Sequence, residues 1–359
     1  GSDAWFARIG PGGEALWSMI IGSKGFDTIH SISEAPDGSI YVAGTFCQNY
    51  NLLCSISIGD NTHQSNGVSD VMIIKLSAQG DVLWSKSFGS GAADNNMWNS
   101  WYSLNQKGIV ATSDGGLLMS GYGCEGWDAN CMMTIAPGYS VANHNPFIVK
   151  YDENGTVESL SVMNGAAADY VQVMVEVDAH SVLLAGNHYS STFSAGSFSV
   201  YNSGGSDAWY AVFNHTSWEY EGLWDSKTDG NEVFHSAAVT PEGHFLLGGT
   251  QCWGNEGTDC PVTFDSADGM QMTRERNSEE AEGFLMLHNT EWGSVDWMRG
   301  IAYNGAGVSP LGDLAISPAG NIAANFPVCV TGNNTGCSAA VGTDPVSYTH
   351  LTLPTTMWV

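Results

Sequence analysis

Basic side chains are scarce in this sequence: 10 Lys and Arg stand against 37 Asp and Glu, for a formal net charge of −27. An acidic surface of that strength repels phosphate backbones and anionic headgroups, so nucleic acid is not expected as a partner. Long apolar runs are missing too. No uninterrupted stretch approaches the ~20 residues of a spanning helix, and no membrane insertion is expected within the chain. Nor does a segment of signal-peptide form precede Gly1, which is not a Met, so a truncated or processed N-terminus is expected. Catalytic signatures are likewise absent: there is no sialidase-type S-x-D-x-G-x-T-W box, no H-E-x-x-H, no G-x-S-x-G elbow and no G-x-x-x-x-G-K-[ST] loop.

Glycine, by contrast, is abundant, at 44 of 359 residues against an average share of ~7%, and 43% of the chain is hydrophobic. Short apolar runs between glycine-rich turns read as an all-β protein with a sizeable core. An opener recurs as Asp3-Ala4-Trp5-Phe6-Ala7-Arg8-Ile9, Asp70-Val71-Met72-Ile73-Ile74-Lys75-Leu76 and Asn145-Pro146-Phe147-Ile148-Val149-Lys150-Tyr151. Two further copies start at Asp207 and, more loosely, at Glu282, giving spacings of 67, 75, 62 and 75 residues. Each opener leads through a turn such as Gly12-Gly13 or Gln79-Gly80 to a second run carrying Trp17, Trp84, Trp224 or Trp297, with Ser159 in the third copy. A glycine-rich loop, a third strand, a turn such as Asp37-Gly38 and a fourth strand follow. That strand ends at Ala43-Gly44, Ser120-Gly121, Ala185-Gly186 or Gly248-Gly249, and the fifth copy departs with Asn325-Phe326.

Four strands per copy predict a β-propeller of four-stranded antiparallel blades, about five repeats forming an incomplete arc of a larger ring. A β-solenoid is the rival, but its repeats are usually much shorter. The repeats fall at 1–67, 68–143, 144–205, 206–280 and a degraded 281–344. Residues 345–356 resemble adaptor sequence translated at the ends of environmental contigs, so 345–359 are set aside as a non-native tail, with a natural polar tail as the alternative. In usual propeller order the third strand of each copy is innermost in its blade.

The D-A-[WF]-x-A-[KR] opener, the G-x-x-L-W turn and strand, the G-x-x-x-x-D loop ending at Asp27 and the D-G-x-[IL]-x-[VM]-[AS]-G strand closely resemble the SBBP repeats found in tandem in large exported bacterial and archaeal proteins. The resemblance covers residues 1 to about 330 and implies a fold with no shared chemistry.

The eight cysteines form four close pairs, Cys47 with Cys54, Cys124 with Cys131, Cys252 with Cys260 and Cys329 with Cys337, each just past a fourth strand. One local pair per unit predicts four disulfides and hence an oxidising, extracellular or cell-surface setting. A metal site built from pairs of different units is the alternative. The third unit has no cysteine. In a propeller these loops share a rim with the loops that lead into the innermost strands, where binding residues concentrate.

Flat aromatics on that rim, Tyr50, Trp127 and Trp253 in the cysteine loops, the last two beside the acids Glu125, Asp128, Glu256 and Asp259, and Trp98 and Trp101 in an extra segment of the second copy, suit stacking on sugar rings with hydrogen bonds to hydroxyls. Packing onto their own loops is the plain alternative. Asp27, Asp94 and Asp169 hold equivalent loop positions, with Glu232 close to the fourth; they are weak calcium candidates whose ordinary role is capping loop amides. No other cofactor is expected. His30, Lys107, Gln172, His235 and Gly312 align on the inner strand, where histidines suit proton transfer, metal ligation or plain contact with channel water. Together these features predict a non-catalytic extracellular scaffold for adhesion or for binding glycans or surface proteins. An extracellular carbohydrate-active enzyme and a structural spacer are the alternatives.

Overall fold

The computed structural model describes the chain except residues 49–52, 92, 95–107, 126–130, 252–260, 266–270, 275–281, 292, 304–312, 325–338 and 342–359. Among the described residues every regular element is a β-strand, and no helix is long and apolar enough to cross a membrane. The chain divides into two compact units, Gly1–Met174 with Phe193–Ser197, and Val175–Thr192 with Phe198–Val359.

In the first unit, sheet I pairs Ala4–Ile9 with Ala15–Ile21. Sheet II runs Phe26–Glu34, Ile40–Gln48, Asp70–Leu76 and Val82–Phe88; sheet III runs Ile109–Ala111, Leu117–Tyr122, Pro146–Tyr151 and Val157–Val162. In the second unit, sheet IV contains Ser181–His188, Asp207–Asn214 and Glu219–Lys227, extended by the hairpin Val262–Asp265 and Gln271–Arg274. Sheet V runs Val233–Val239, Phe245–Gln251, Glu282–Asn289 and Ser294–Tyr303, with Ala339–Val341 on its edge. A last pair, Leu314–Ile316 and Ile322–Ala324, follows. The strands named in these sheets pair antiparallel. Sheets II, III and V each combine the third and fourth strands of one sequence copy with the first and second strands of the next.

Strand alternation divides the second opener between two cores, whereas the first, Ala4–Ile9, buries one face and leaves Trp5 and Ile9 exposed. Asp70–Leu76 is buried along its whole length. Val71 and Ile73 point into a core shared with Leu117, Met119 and Phe147 of sheet III. Met72, Ile74 and Leu76, on the opposite face, pack with Phe6 and Ile21 of sheet I. A strand with neighbours on both faces needs an unbroken apolar run, which is why the opener does not alternate with polar residues. Each aliphatic side chain buried this way stabilises by about 1.5–3 kcal/mol.

One turn recurs at the opposite ends of these strands. The amides of Gly13, Gly38, Gly80, Gly115, Gly155, Gly243 and Gly320 donate to the carbonyl three residues back, and each of these glycines is left-handed, with φ from 77° to 90°. This closes a short hairpin through a bulge that only glycine adopts without strain. Two of these glycines also make room for a neighbouring sheet. A Cβ on Gly80 would stand 2.8 Å from the Trp17 ring, and one on Gly155 would stand 3.1 Å from that of Trp84. The indole Nε1 of Trp17 donates to Ala78 O (3.1 Å) and that of Trp84 to Glu153 O (2.9 Å). For Trp17 and Trp84, the indole and the turn glycine of the next sheet are thus two halves of one contact.

An antiparallel meander places its first and third connections at one end and its second connection at the other, together with the links between sheets. Within each sheet the tight turns therefore lie at one end of the strands and the long loops at the other. The long-loop side carries the Cys47–Cys54 disulfide and the hairpins Ser55–Ile58 with Asn61–Gln64 and Met132–Ala136 with Tyr139–Ala142.

Candidate functional site

Cys47 and Cys54 are joined, with Cα atoms 5.8 Å apart, and Cys131 is also disulfide-bonded. Cys252, Cys260, Cys329 and Cys337 lie outside the described residues, as do the predicted binding residues Tyr50, Trp98, Trp101, Trp127, Asp128, Trp253, Glu256 and Asp259. Lys107 and Gly312 are outside them too. Cys124, Glu125 and Asp94 are described as strand backbone only, in Cys124–Glu125 and Ala93–Asp94.

The acidic loop position stitches the chain together. The amides of Asp27, Asp169 and Glu232 donate to Ser2 O, His144 O and Ser206 O, each just ahead of an opener. Asp27 is buried, and its carboxylate accepts from the amide of Ser23 (2.6 Å), the hydroxyl of Ser23 (2.7 Å) and the amide of Cys47 (3.1 Å). That last bond holds Cys47 in its left-handed conformation, φ 62°, at the start of the disulfide loop. Amide capping thus occupies Asp27. Asp169 and Glu232 are buried as well.

His30 and His235 occupy matching β-bulges. Pairing skips from Ile29↔Gly44 to Ser31↔Ala43, and from Phe234↔Gly249 to Ser236↔Gly248, leaving each histidine as the extra residue. The opposing glycine is required: a Cβ on Gly44 would lie 2.0 Å from Thr28 O, and one on Gly249 would lie 2.3 Å from Val233 O. The bulge turns each ring onto a threonine, His30 Nε2 to Thr45 Oγ1 at 3.0 Å and His235 Nε2 to Thr250 Oγ1 at 3.1 Å. Burial lowers both imidazoles to about 4, so they are neutral at neutral pH. Gln172 lies on the strand Asp169–Glu176.

The long-loop rim of sheet IV holds a cleft of about 360 Å³, lined by Tyr201, Asn202, Ser203, Trp224, Asp225 and Lys227 among others. Trp224 is stacked on Tyr210, with centroids 5.0 Å apart and planes 12° from parallel, and Tyr210 Oη bonds His288 Nδ1 at 2.8 Å. One indole face is therefore fixed against the core while the residue lines the cleft. Tyr201 is 66% exposed. The loop between them is held in place: Asn202 Nδ2 donates to His188 O (3.3 Å) and Gly205 O (3.0 Å), and the amide of Gly204 donates to Asn202 Oδ1 at 3.0 Å.

Behind Asp225 lies a buried polar cluster on three neighbouring strands. His188 pairs directly with Asp207, and Asp225 pairs with Trp209, two residues along, so all three side chains fall on one face of the sheet. His188 and Asp207 are 0% exposed and Asp225 is 7% exposed. One ligand atom from each lies within 4.8 Å of the others. Asp207 Oδ2 accepts the amide of Ser203 at 2.7 Å, while Asp207 Oδ1 and Asp225 Oδ2 meet no hydrogen-bond donor. Burial is the main cause that pushes the Asp207 carboxyl up to about 7, with further help from Asp225 and Asp229 and against the Ser203 amide and His188.

Reading the openers for apolar character misses this cluster. Its signal emerges only when the copies are aligned: Asp225 follows Trp224 where Ser18 follows Trp17 and Ser85 follows Trp84, and His188 stands where the first copy has Phe46. Of the three, His188 belongs to the cysteine-free third copy, whereas Asp207 is the ordinary opener acid of the fourth copy and Asp225 follows that copy's Trp.

No family model and no curated protein matches the chain. Solved structures similar to it include that of a protein of unknown function from Bacteroides caccae, at 11% identity, covering 73% of this chain and 87% of that one with a TM-score of 0.31.

Proposed function

We propose that this chain is an extracellular, non-catalytic β-propeller of the SBBP-repeat kind, its stacked sheets acting as blades, and that it binds carbohydrate through its long-loop rim. Recurrent four-stranded construction and local disulfides support the scaffold and its oxidising compartment. The observation that carries the ligand class is the cleft of sheet IV, where the fixed indole of Trp224 and the exposed Tyr201 stand beside Asn202, Asp225 and Lys227. Aromatic faces take the apolar C–H surface of a pyranose, and the amide, carboxylate and ammonium groups bond its hydroxyls. Its volume lies within the ~300–1,000 Å³ of ordinary small-ligand sites. A platform already fixed by Tyr210 loses little freedom when a ring stacks on it.

Calorimetric titration of the full chain with a panel of neutral and acidic oligosaccharides, in the presence of a chelator, tests this. Binding is expected for part of the panel. Replacing Tyr201, which is exposed, with Ala should weaken it about tenfold, the upper end of a single aromatic contact. A folded protein that binds no saccharide overturns the carbohydrate reading and favours a protein ligand or a spacer.

A further inference from the structure

We propose that His188, Asp207 and Asp225 form a binding site for a divalent transition-metal ion, with Zn²⁺ the best match to the donors. The site stands whether or not the neighbouring cleft holds a sugar.

Three features carry it. First, the imidazole is preset for ligation: His188 Nδ1 lies 3.1 Å from Ser190 O, an acceptor only, so Nδ1 carries a proton and the Nε2 edge is the one directed at the cluster. A second nitrogen donating to a backbone carbonyl is the usual support of a metal-bound histidine. Second, Asp207 Oδ1 and Asp225 Oδ2 are buried without a hydrogen-bond donor. Among the described residues only the His188 ring, 3.8 Å from Asp225 Oδ2, stands opposite these two buried carboxylates, and a cation bound among the three groups would compensate them more fully, because incompletely paired buried charge is disfavoured. Third, the spacing is close to what an ion requires. Ligands ~2.0–2.1 Å from a tetrahedral ion stand ~3.3–3.4 Å apart, and His188 Nε2 is 3.8 Å from Asp225 Oδ2, so a small movement of each side chain closes the gap.

The donor set selects the ion. One imidazole and two carboxylates suit zinc or a similar borderline cation, whereas calcium and magnesium take six or more oxygen ligands. All three residues sit on paired strands, and the Asp207 loop is tied through Ser203 and Asn202, so the site is largely assembled beforehand. Asp225 lines the cleft, which gives an ion a route in. Three protein ligands would leave a fourth position for water or a ligand oxygen.

The test uses the full chain, stripped with chelator, dialysed and titrated with Zn²⁺ by calorimetry, with Co²⁺ absorption as a second measurement on the unmutated protein. One strong site per chain is expected, and the Co²⁺ bands should show a mixed nitrogen and oxygen environment. Affinity should fall at least ~100-fold in H188A and in D225N, more than the 10–100-fold of a change outside the ligand set. D70N, at the matching opener position of sheet II, should leave it unchanged. A folded protein giving neither a zinc heat nor a cobalt spectrum overturns the proposal, as does zinc binding that survives H188A and D225N. If those variants fail to fold, the cobalt spectrum decides: absent nitrogen ligation or a thiolate band places the ion elsewhere and overturns it. Because zinc is assayed without sugar and sugar with chelator, either reading can fail alone.

Discussion

The two units solve one problem with different chemistry. In the first unit, basic residues of the opener reach the tight turns of neighbouring sheets. Arg8 Nη1 lies 3.4 Å from both Gly38 O and Ala78 O, and Lys75 Nζ donates to Gly115 O (3.3 Å) and Glu153 O (3.1 Å) while lying 5.0 Å from the centre of the Tyr41 ring. In the second unit the matching positions are Val212 and Leu287, and an aromatic group does the pinning instead: Tyr210 stacks on Trp224 and bonds His288, which in turn stacks on Phe245. Turn carbonyls attract a cation because they are the negative ends of peptide dipoles left without a strand partner. Where the cation is lost, packing must supply the cohesion. The aromatic solution also produces the fixed indole that lines the cleft, so a change in structural cement accompanies the candidate binding surface.

The largest expected effect concerns what the units share. His30 and His235 sit in equivalent bulges and are both held near 4 by burial. An unfolded histidine titrates near 6.5, so the unfolded chain binds more protons below that value, and stability is expected to fall as pH drops from about 6.5 towards 4. Denaturant unfolding at pH 7.5 and 4.5 should show His235→Asn losing less stability than the parent on acidification, by about 3 kcal/mol, with His30→Asn shifting in the same direction. Equal behaviour on acidification would separate the two bulges from this mechanism. Asp70 works in the opposite sense: burial raises it to about 6, so its contribution is present at low pH and is lost as pH rises through 6.

A smaller effect tests the difference itself. Lys75→Met keeps the aliphatic stem and removes the two turn bonds, and should cost about 2 kcal/mol in urea unfolding. Because the bonds are part-buried and end on neutral carbonyls, added salt should change this cost little. The smallest effect belongs to the aromatic unit. Tyr210→Phe removes the bond to His288 but keeps the ring stack, for an expected loss of about 1 kcal/mol. A loss equal to that of Lys75→Met would mean that the hydroxyl, rather than ring packing, holds this region together.

Much of the strand order was legible because it rests on local chemistry. Glycines that must adopt positive φ, apolar runs flanked by turn residues and the Trp that follows the turn in four of the five copies all mark their own places in the chain. The partner of each Trp was not legible, since Trp17 meets the turn at Ala78 and Gly80, more than 60 residues away. The cluster at His188 was hidden for a similar reason. Its members lie on three strands, and each looks unremarkable in its own segment: a histidine at a strand end, the expected opener acid and one acid after a Trp. Asp27 could be read as an oxygen ligand or a cap, and only the positions of the Ser23 and Cys47 amides distinguish the two.

The offset between sequence copies and sheets bears on how such a chain can lengthen. Duplicating one opener-to-opener segment of 62 to 75 residues does not append a finished sheet. It supplies the last two strands of one sheet and the first two of another, so a newcomer must complete its neighbours before either is whole. Copies are thereby obliged to fold in register with the array, and one that differs in sequence, as the third does in having no cysteine, is still held in line by strands belonging to its neighbours.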